Sequence, residues 1–150
     1  MKLFLSFVFC LSVFATHAQR YTSAIGLRVG TPDVTYINAK YRMNQQAIEL
    51  GIGGNFGAIW VHGNAYQQNE LNDILDLYYG FGANVGVGQM KQFGTDYSGL
   101  GLGVNAVVGL EHTFEDFPFN ISLDAGPGLY VLPNLKFGFA AALSVRYVLH

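Results

Sequence analysis

The 150-residue sequence predicts an all-β fold, an eight-stranded antiparallel up-and-down transmembrane β-barrel, on three observations. From Leu77 to the C-terminus, bulky apolar residues alternate with glycine, asparagine, serine or charged residues, and this period of two is that of a β-strand. The alternating runs last ten residues or more, near the length of a tilted strand that crosses a bilayer. Charged residues make up only 12% of the chain, whereas soluble domains average about 25%.

The N-terminal segment 1–18 has the features of a cleaved signal peptide. Lys2 provides a positive charge, and the apolar stretch 3–14 is too short for a transmembrane helix. Cys10, the only cysteine, lies in this segment, so residues 19–150 are predicted to form one barrel domain without a thiol. The chain has no run of eighteen apolar residues, which leaves the closed barrel as the structure that satisfies its backbone in lipid.

Turn-forming residues divide the rest of the chain into eight strands. Clusters of Pro, Asn, Asp and Gly separate most of them, and these residues favour turns for steric and hydrogen-bonding reasons. The fourth strand shows no clear polar face, and the connection 69–76 is long enough for a helical turn. The turn clusters are 31–33, 44–45, 54–57, 115–118 and 132–134. In order, the predicted strands are 22–30, 34–43, 46–54, 58–67, 77–89, 99–114, 118–130 and 136–149.

The volume of the side chains predicts which face of the strands is outside. The bulky face collects more than thirty large residues, among them Leu27, Phe81 and Leu123. An eight-stranded barrel has an interior only just wide enough for its own side chains. We therefore expect the bulky face to contact lipid and the glycine-rich face to line the lumen. Aromatic residues near strand ends are expected to form interfacial girdles; they are Tyr41, Tyr66, Tyr78, Phe119, Tyr130 and Tyr147.

Five short strings occur in order along the chain: AIGLR at 24–28, YGFGA at 79–83, VGLE at 108–111, NISLD at 120–124 and SVRY at 144–147. Together they resemble the small outer-membrane β-barrel proteins of Bacteroidetes. The resemblance covers essentially the whole mature chain and implies a signal peptide, an eight-stranded barrel and residence in the cell outer membrane. We expect contact with outer-membrane lipid, assembly by the barrel insertion machinery, and a monomer. Such barrels usually end in an aromatic residue that is read during insertion, whereas this chain ends in His150, with Tyr147 as the nearest aromatic residue.

No pattern in the sequence predicts an enzyme, a cofactor or a metal site. The segment 101–106 matches a dinucleotide-binding glycine motif, but the period of two continues through it, so no helix begins there to bind phosphates. His62, His112 and His150 share no metal-ligand spacing. Glu111 and His112 point to opposite faces, because they are neighbours on a strand. The formal net charge of −2 does not favour nucleic-acid binding.

The polar face carries a set of charged residues that the barrel topology is expected to bring together. With both termini in the periplasm, these residues lie in the periplasmic half of the lumen or near its middle. Buried charges persist only when they are paired and hydrogen-bonded, so we expect a mixed cluster that plugs the lower lumen. For the residues nearest the turns, Arg42 and Glu111, hydration beyond the bilayer edge is the alternative. The predicted members are Arg28, Lys40, Arg42, Glu49, Glu111, Asp124 and Arg146.

Three functions are compatible with such a barrel. The first is a structural or interaction role in the outer membrane, with a plugged lumen and binding through the loops. The second is a narrow pore or a transporter for small or hydrophobic molecules. The third is a lipid-modifying enzyme, such as a lipid A acylase or acyltransferase. If the bulky face points inward, a secreted barrel that binds lipids replaces all three.

Overall fold

The structure, a computed structural model, describes residues 21–31, 34–55, 57–92 and 95–149. In this part of the chain it consists of strands and short connections. The predicted signal segment 1–18, with Cys10, lies outside the described residues. The strands are β1 (Ser23–Gly30), β2 (Val34–Met43), β3 (Gln46–Asn55), β4 (Ala58–Glu70), β5 (Asp76–Gln92), β6 (Thr95–Thr113), β7 (Phe119–Leu132) and β8 (Lys136–Leu149).

The eight strands form a closed antiparallel barrel, which confirms the predicted fold. Each strand pairs with the next, and β1 pairs with β8 from Ser23↔Leu149 to Gly30↔Ala142. The first and last strands begin and end at the same rim as the turns β2–β3, β4–β5 and β6–β7. We call this rim the terminal end and the other rim the opposite end. Within the described residues, no helix is long and apolar enough to cross a membrane.

The connection between β4 and β5 is shorter than predicted, because both strands extend toward it. It contains residues 71–75 rather than 69–76, and no helical turn forms there. Asn72 sets its shape: Oδ1 accepts hydrogen bonds from the backbone N–H groups of Ile74, at 2.9 Å, and Leu75, at 2.8 Å. A local bond of this kind satisfies backbone donors within the turn, so the paired strands run up to it.

The β5–β6 hairpin extends beyond its neighbours at the opposite end. β4 pairs with β5 as far as Gly88, and β7 pairs with β6 only from Leu102 onward. β5 and β6 stay paired with each other up to Gln92↔Thr95. At the base of the extension, Gly88 and Gly99 are directly paired and have φ angles of 124° and 119°. Residues other than glycine rarely adopt such angles, so both positions require glycine to avoid backbone strain.

The outer surface of the barrel is apolar, as the side-chain volumes predicted. Alternate positions expose large hydrophobic residues, among them Phe81 (72% exposed), Phe139 (71%) and Leu123 (62%). Interior positions hold glycine, alanine, polar residues and charged residues, and several aromatic residues as well. β4 follows the same alternation. Its faces were unclear in the sequence because its inward residues include the aromatic Trp60.

Three of the six predicted girdle residues lie inside the barrel. Tyr66, Tyr78 and Tyr130 are buried in the lumen, so the prediction that they contact lipid is wrong. The volume argument assumed an inner face of small residues only, and this assumption fails at these positions. The exposed members of the predicted set are Tyr41, Phe119 and Tyr147.

Glycines on neighbouring strands make room for the large inward side chains. Trp60 is paired in register with Gly86, and Tyr78 with Gly109. A Cβ atom on Gly86 would collide with the Trp60 ring, and one on Gly109 would stand 2.5 Å from Tyr78 Cζ. Each of these rings therefore lies over a glycine. The interior is only just wide enough for side chains, and the missing side chain of the glycine provides the space for the ring.

Replacing Gly86 with Ala is expected to destabilise the barrel by about 1–3 kcal/mol, the usual cost of overpacking a filled interior. The new methyl group would displace the Trp60 ring. Gly63→Ala is the matched control, because a Cβ atom there meets only Leu50 Cδ2, at 3.2 Å. Urea unfolding in detergent micelles, followed by the emission of the single tryptophan, gives both free energies of unfolding. Equal values would contradict the glycine–aromatic packing.

Candidate functional site

The candidate functional site is the barrel interior, because it holds most of the charged groups that the described strands contribute. All seven charged residues that were predicted for the lumen point inward, because of the alternation along each strand. They come from β1, β2, β3, β6, β7 and β8. Each of them is at most 9% exposed. Charges this deeply buried need partners, and the contacts below supply them.

Asp124 on β7 binds Arg28 of β1 in a bidentate ion pair that passes over β8, the strand between them. Arg28 Nη1 and Nη2 donate to the two carboxylate oxygens, each at 2.7 Å. Nη1 also lies 3.3 Å from Ser144 Oγ, to which it donates. Tyr78 OH donates to Asp124 Oδ2 at 2.6 Å. The two parallel bonds form the strong type of arginine–carboxylate pair, and they occupy both terminal nitrogens of Arg28.

Glu49, fully buried on β3, is bound by a second arginine and by a histidine. Arg146 Nη2 donates to Glu49 Oε2, and His62 Nε2 lies 3.1 Å from Oε1. Tyr66 OH also donates to Oε1, at 3.4 Å. Arg146 Nη1 donates to Ser122 Oγ at 2.9 Å. Both oxygens of Glu49 therefore accept hydrogen bonds from neighbouring side chains.

Glu111 on β6 is bound by a lysine, a tyrosine and a glutamine. Lys40 Nζ donates to Oε2 at 2.6 Å, while Tyr21 OH and Gln68 Nε2 donate to Oε1 at 2.7 Å and 2.6 Å. Lys40 Nζ also lies 4.6 Å from the centroid of the Tyr78 ring, within the range of a cation–π interaction. The centroid of the Tyr66 ring lies 5.2 Å from Nζ, so the ammonium group is held by one carboxylate and two aromatic rings.

Longer ion pairs join the three carboxylates into one network. Arg28 Nη1 lies 3.7 Å from Glu49 Oε1, and Arg146 Nη1 lies 3.7 Å from Glu111 Oε2. The network joins three cations to three anions, so its formal charges cancel. We call these six residues the lumen network: Arg28, Lys40, Glu49, Glu111, Asp124 and Arg146.

Arg42, the seventh predicted residue, forms a separate pair near the terminal end. Its Nη1 donates to Asp76 Oδ2 at 2.5 Å, and its Nε donates to the backbone oxygen of Asn44 at 3.1 Å. Gln68 Nε2 lies 2.9 Å from Asp76 Oδ2 and also donates to Glu111, so it connects this pair to the lumen network. Asp76 was missed in the sequence because it was assigned to the connection, whereas it is the first residue of β5.

Sequence reasoning also missed the uncharged partners of the network. Within the strands, their spacing identifies them. A residue that lies an even number of positions from an inward residue of the same strand also points inward. The aromatic partners were instead assigned to the lipid interface or left unassigned. The missed partners are Tyr21, His62, Tyr66, Gln68 and Tyr78.

The geometry of the network leaves no free acid or base among its carboxylates. Every carboxylate oxygen of Glu49, Glu111 and Asp124 accepts at least one hydrogen bond. Burying an ion costs several kcal/mol, and these bonds offset that cost. In the part of the chain that the structure describes, no three His, Cys, Asp or Glu residues are grouped to hold a metal ion. The carboxylates are therefore satisfied, whereas Arg146 Nε and Gln68 Oε1 are buried without a hydrogen-bond partner.

A cavity of about 100 Å³ lies between the lumen network and the opposite end. Arg28 and Asp124 line it together with polar side chains from β4, β5 and β6. Val34 and Tyr130 line it as well, and both belong to a hydrophobic cluster that includes Met90. The interior is therefore densely paired on one side of the Arg28–Asp124 pair and partly open on the other.

Two solved structures are similar to this chain. One is the crystal structure of Neisserial surface protein A, with 16% sequence identity and a TM-score of 0.49. The matched region covers 85% of this chain and 93% of the Neisserial chain. The other is the structure of the Yersinia pestis outer membrane protein Ail in a phospholipid bilayer nanodisc. Its sequence identity is 15% and its TM-score is 0.47. The matched region covers 87% of this chain and 100% of the Ail chain. The chain matches no protein-family model and no curated protein.

Asp124→Ala is expected to destabilise the barrel by about 3–5 kcal/mol, the cost of leaving one member of a buried ion pair without its partner. Arg28 would lose the carboxylate that neutralises it. Asp73→Ala, which removes an exposed carboxylate in the turn 71–75, serves as the control and should change the free energy of unfolding by less than about 0.5 kcal/mol.

Urea unfolding of both variants in micelles measures these effects. The double variant Arg28→Leu/Asp124→Ala should recover part of the loss, because both charges are removed together. If Asp124→Ala unfolds at the same urea concentration as the parent protein, the ion pair does not stabilise the barrel.

Proposed function

We propose that this protein is a small integral outer-membrane β-barrel with a structural role, whose lumen is closed by the side chains of the lumen network. The proposal includes the predicted export by a signal peptide and the predicted kinship with the Bacteroidetes barrels. It also includes lipid as the main surrounding medium, insertion by the barrel machinery, and a monomeric state.

The apolar outer surface is the observation that carries the proposal. Among the described side chains that point away from the barrel, charge occurs only at or next to strand ends, as at Glu70 and Asp96. The outward positions between them expose large hydrophobic residues on all eight strands. Soluble monomers rarely expose a continuous apolar patch of more than a few hundred Å². A surface of this kind is suited to contact with lipid acyl chains.

The height of the barrel also fits a bilayer. A strand rises about 3.3 Å per residue, so the 14 residues of β8 extend about 46 Å. At the usual tilt of about 45°, they cover about 33 Å along the barrel axis. The apolar band of an outer-membrane barrel is about 25 Å tall, so β8 is long enough to span it and to reach the interfaces.

The lumen network supports a structural role over conduction. Its members come from six strands and meet across the lumen, and aromatic rings over glycines fill adjacent space. The connections between strands contain two to five residues. Apart from the projecting β5–β6 hairpin, they offer little surface for binding, so we favour stabilisation of the membrane over recognition by loops. We also propose that the protein is not an enzyme, because the buried carboxylates are all engaged in hydrogen bonds.

Leu123→Arg is expected to cost about 2–4 kcal/mol, the penalty for an arginine at the midplane of a bilayer. Leu123 on β7 pairs with Leu143, which lies in the middle of β8, and it is 62% exposed. Phe117→Arg is the matched control: Phe117 is 63% exposed but lies in the turn after β6, where the penalty falls to about 0–1 kcal/mol. Unfolding from phospholipid vesicles measures both.

Fractionation of cells that express the parent protein complements this comparison. The folded chain should sediment with outer membranes and require detergent for release. If Leu123→Arg folds into vesicles as well as Phe117→Arg, or the parent protein is recovered in a soluble fraction, the surface does not face lipid.

A second candidate function, passage of small molecules, is favoured by the cavity of about 100 Å³ beside the network. Conductance in a planar bilayer separates the two functions. The parent protein should show no steady channel current, whereas the double variant Glu49→Ala/Arg146→Ala should conduct, because it removes the central ion pair. The outward variant Ile121→Ala should stay silent. A stable current through the parent protein would favour the pore.

A further inference from the structure

The segment 95–101 of β6 is a strand edge without a neighbouring strand on the side away from β5. β7 pairs with β6 only from Leu102 onward, and Val131 is an extra residue of β7 at the point where this pairing stops. In the described part of the chain, no backbone hydrogen bond joins the segment 95–101 to an element other than β5. A Cβ atom on Gly99 would have no atom within 4 Å, so open space surrounds the segment at this position.

The other edge of the β5–β6 hairpin is shorter and partly covered. Beyond Gly88, its last residue that pairs with β4, β5 continues only through residues 89–92. Gln89 N donates to the backbone oxygen of Gly57 at 2.7 Å. Proteins commonly protect an exposed edge with lysine, proline or a covering loop, and the segment 95–101 contains neither lysine nor proline. The edge of β6 is therefore the one that can accept a further strand.

The rim of the barrel holds this edge in place. Met90 and Tyr97 are register partners in the hairpin. Met90 belongs to the hydrophobic cluster that contains Trp60 and Tyr130, and Tyr97 packs against the same cluster. Met90 is only 3% exposed, although it lies beyond the last pair between β5 and β4. A strand edge that is already ordered loses little conformational freedom on binding, and this favours association.

The backbone of the edge determines the class of partner. In an antiparallel pair, alternate residues direct both their N–H and C=O groups to the same side. An extended peptide that runs antiparallel to β6 satisfies the groups on the open side, in the mode called β-strand addition, and it would continue the line of β7 beyond Leu132. A second copy in the same membrane fits less well, because its β6 would run in the same direction along the membrane normal.

The outward side chains of the edge add a preference for sequence. Leu100 is 52% exposed at the base of the hairpin, where Leu102 and Leu132 are exposed as well. Ser98 and Asp96 are exposed nearer the tip. Residues directly opposite each other on one face of a sheet interact. The complementary strand therefore carries an apolar residue opposite Leu100 and a cationic residue opposite Asp96.

We propose that the edge 95–101 binds an extended peptide segment of another protein, on the side of the membrane away from the termini. The bound segment is as long as the edge and runs antiparallel to β6. It is apolar where it begins, beside Leu100, and cationic near its end, beside Asp96. This inference goes beyond the structural role proposed above, and it holds whether or not the lumen conducts.

A synthetic peptide tests this mode of binding. When the peptide acetyl-TVYTTKT is aligned antiparallel with the segment 95–101, its valine lies opposite Leu100 and its lysine opposite Asp96. The full-length chain is folded in lipid nanodiscs, and the anisotropy of a fluorophore at the C-terminus of the peptide is measured, with empty nanodiscs as the blank. We expect saturable binding at high micromolar to millimolar concentration, because each backbone hydrogen bond contributes little net free energy.

Two N-methylated forms of the peptide separate backbone pairing from side-chain contact. One form carries methyl groups on its odd-numbered amides, and the other carries them on its even-numbered amides. In a paired strand these two sets of amides point to opposite sides, so one form keeps its N–H groups toward β6 and the other loses them. We expect one form to bind like the parent peptide and the other to show no saturable binding.

Reversing the charge at position 96 locates the binding site. Asp96→Lys should weaken binding of the parent peptide about two- to fivefold and strengthen a peptide with glutamate in place of lysine by a similar factor, as expected for an exposed ion pair. Asp73→Lys is the matched control, because Asp73 is an exposed carboxylate at the other rim, and it should change neither affinity.

The proposal is overturned if the parent peptide shows no saturable binding, if the two methylated forms bind alike, or if Asp96→Lys leaves both affinities unchanged. A cysteine test addresses the remaining occupant. Ser98→Cys, combined with Cys10→Ser to remove the single native thiol, should stay monomeric in vesicles under oxidising conditions. A disulfide-linked dimer in the absence of peptide would assign the edge to a second copy and would also overturn the proposal.

Discussion

Hydrogen bonding between β1 and β8 closes the sheet, and closure fixes the volume into which every inward side chain must fit. The eight strands turn their inward residues toward one narrow space that water cannot fill freely. Charges in that space must be paired, and large rings must lie over glycines. The ion pair between Arg28 and Asp124 meets the first requirement. The packing of Trp60 on Gly86 meets the second. The outer surface has a different requirement. Its side chains must be apolar if lipid surrounds the barrel.

The alternation in the sequence was sufficient to predict the strands, because a period of two depends only on local backbone geometry. It was also sufficient to place Glu49 and Asp124 on the inward face, where the structure has them. The inward aromatic residues were not predicted correctly. Their position depends on which glycine lies beside them on the next strand, and that depends on register. Tyr78 fits inside because its register partner is Gly109, a fact that no single strand reveals.

The partners of the charged residues were harder to predict than their positions. Arg28 and Asp124 are 96 residues apart in the chain, and which side chains meet across a barrel depends on strand tilt and stagger. Asp76 was assigned to a connection, because strand ends cannot be predicted reliably from the sequence. Its ion pair with Arg42 was therefore not predicted either. The three asparagines that line the cavity beside the lumen network were missed for a related reason. Asn64, Asn84 and Asn105 are isolated polar residues in their own strands, and only the sheet brings them together.

The unequal lengths of the strands have a consequence for the surrounding bilayer. β1 contains 8 residues and β6 contains 19, so the wall of the barrel is low on one side and tall on the other. In a membrane, a short apolar wall draws the two leaflets together, and a long one holds them apart, at a modest cost for each ångström of mismatch. A barrel of this shape would thin the bilayer beside β1. The extension of β5 and β6 exposes the polar residues Gln89, Asp96 and Ser98, so it would project beyond the bilayer rather than thicken it. Lipids with shorter chains would therefore collect beside β1, and neighbouring proteins with an equally short apolar wall would be attracted to that side.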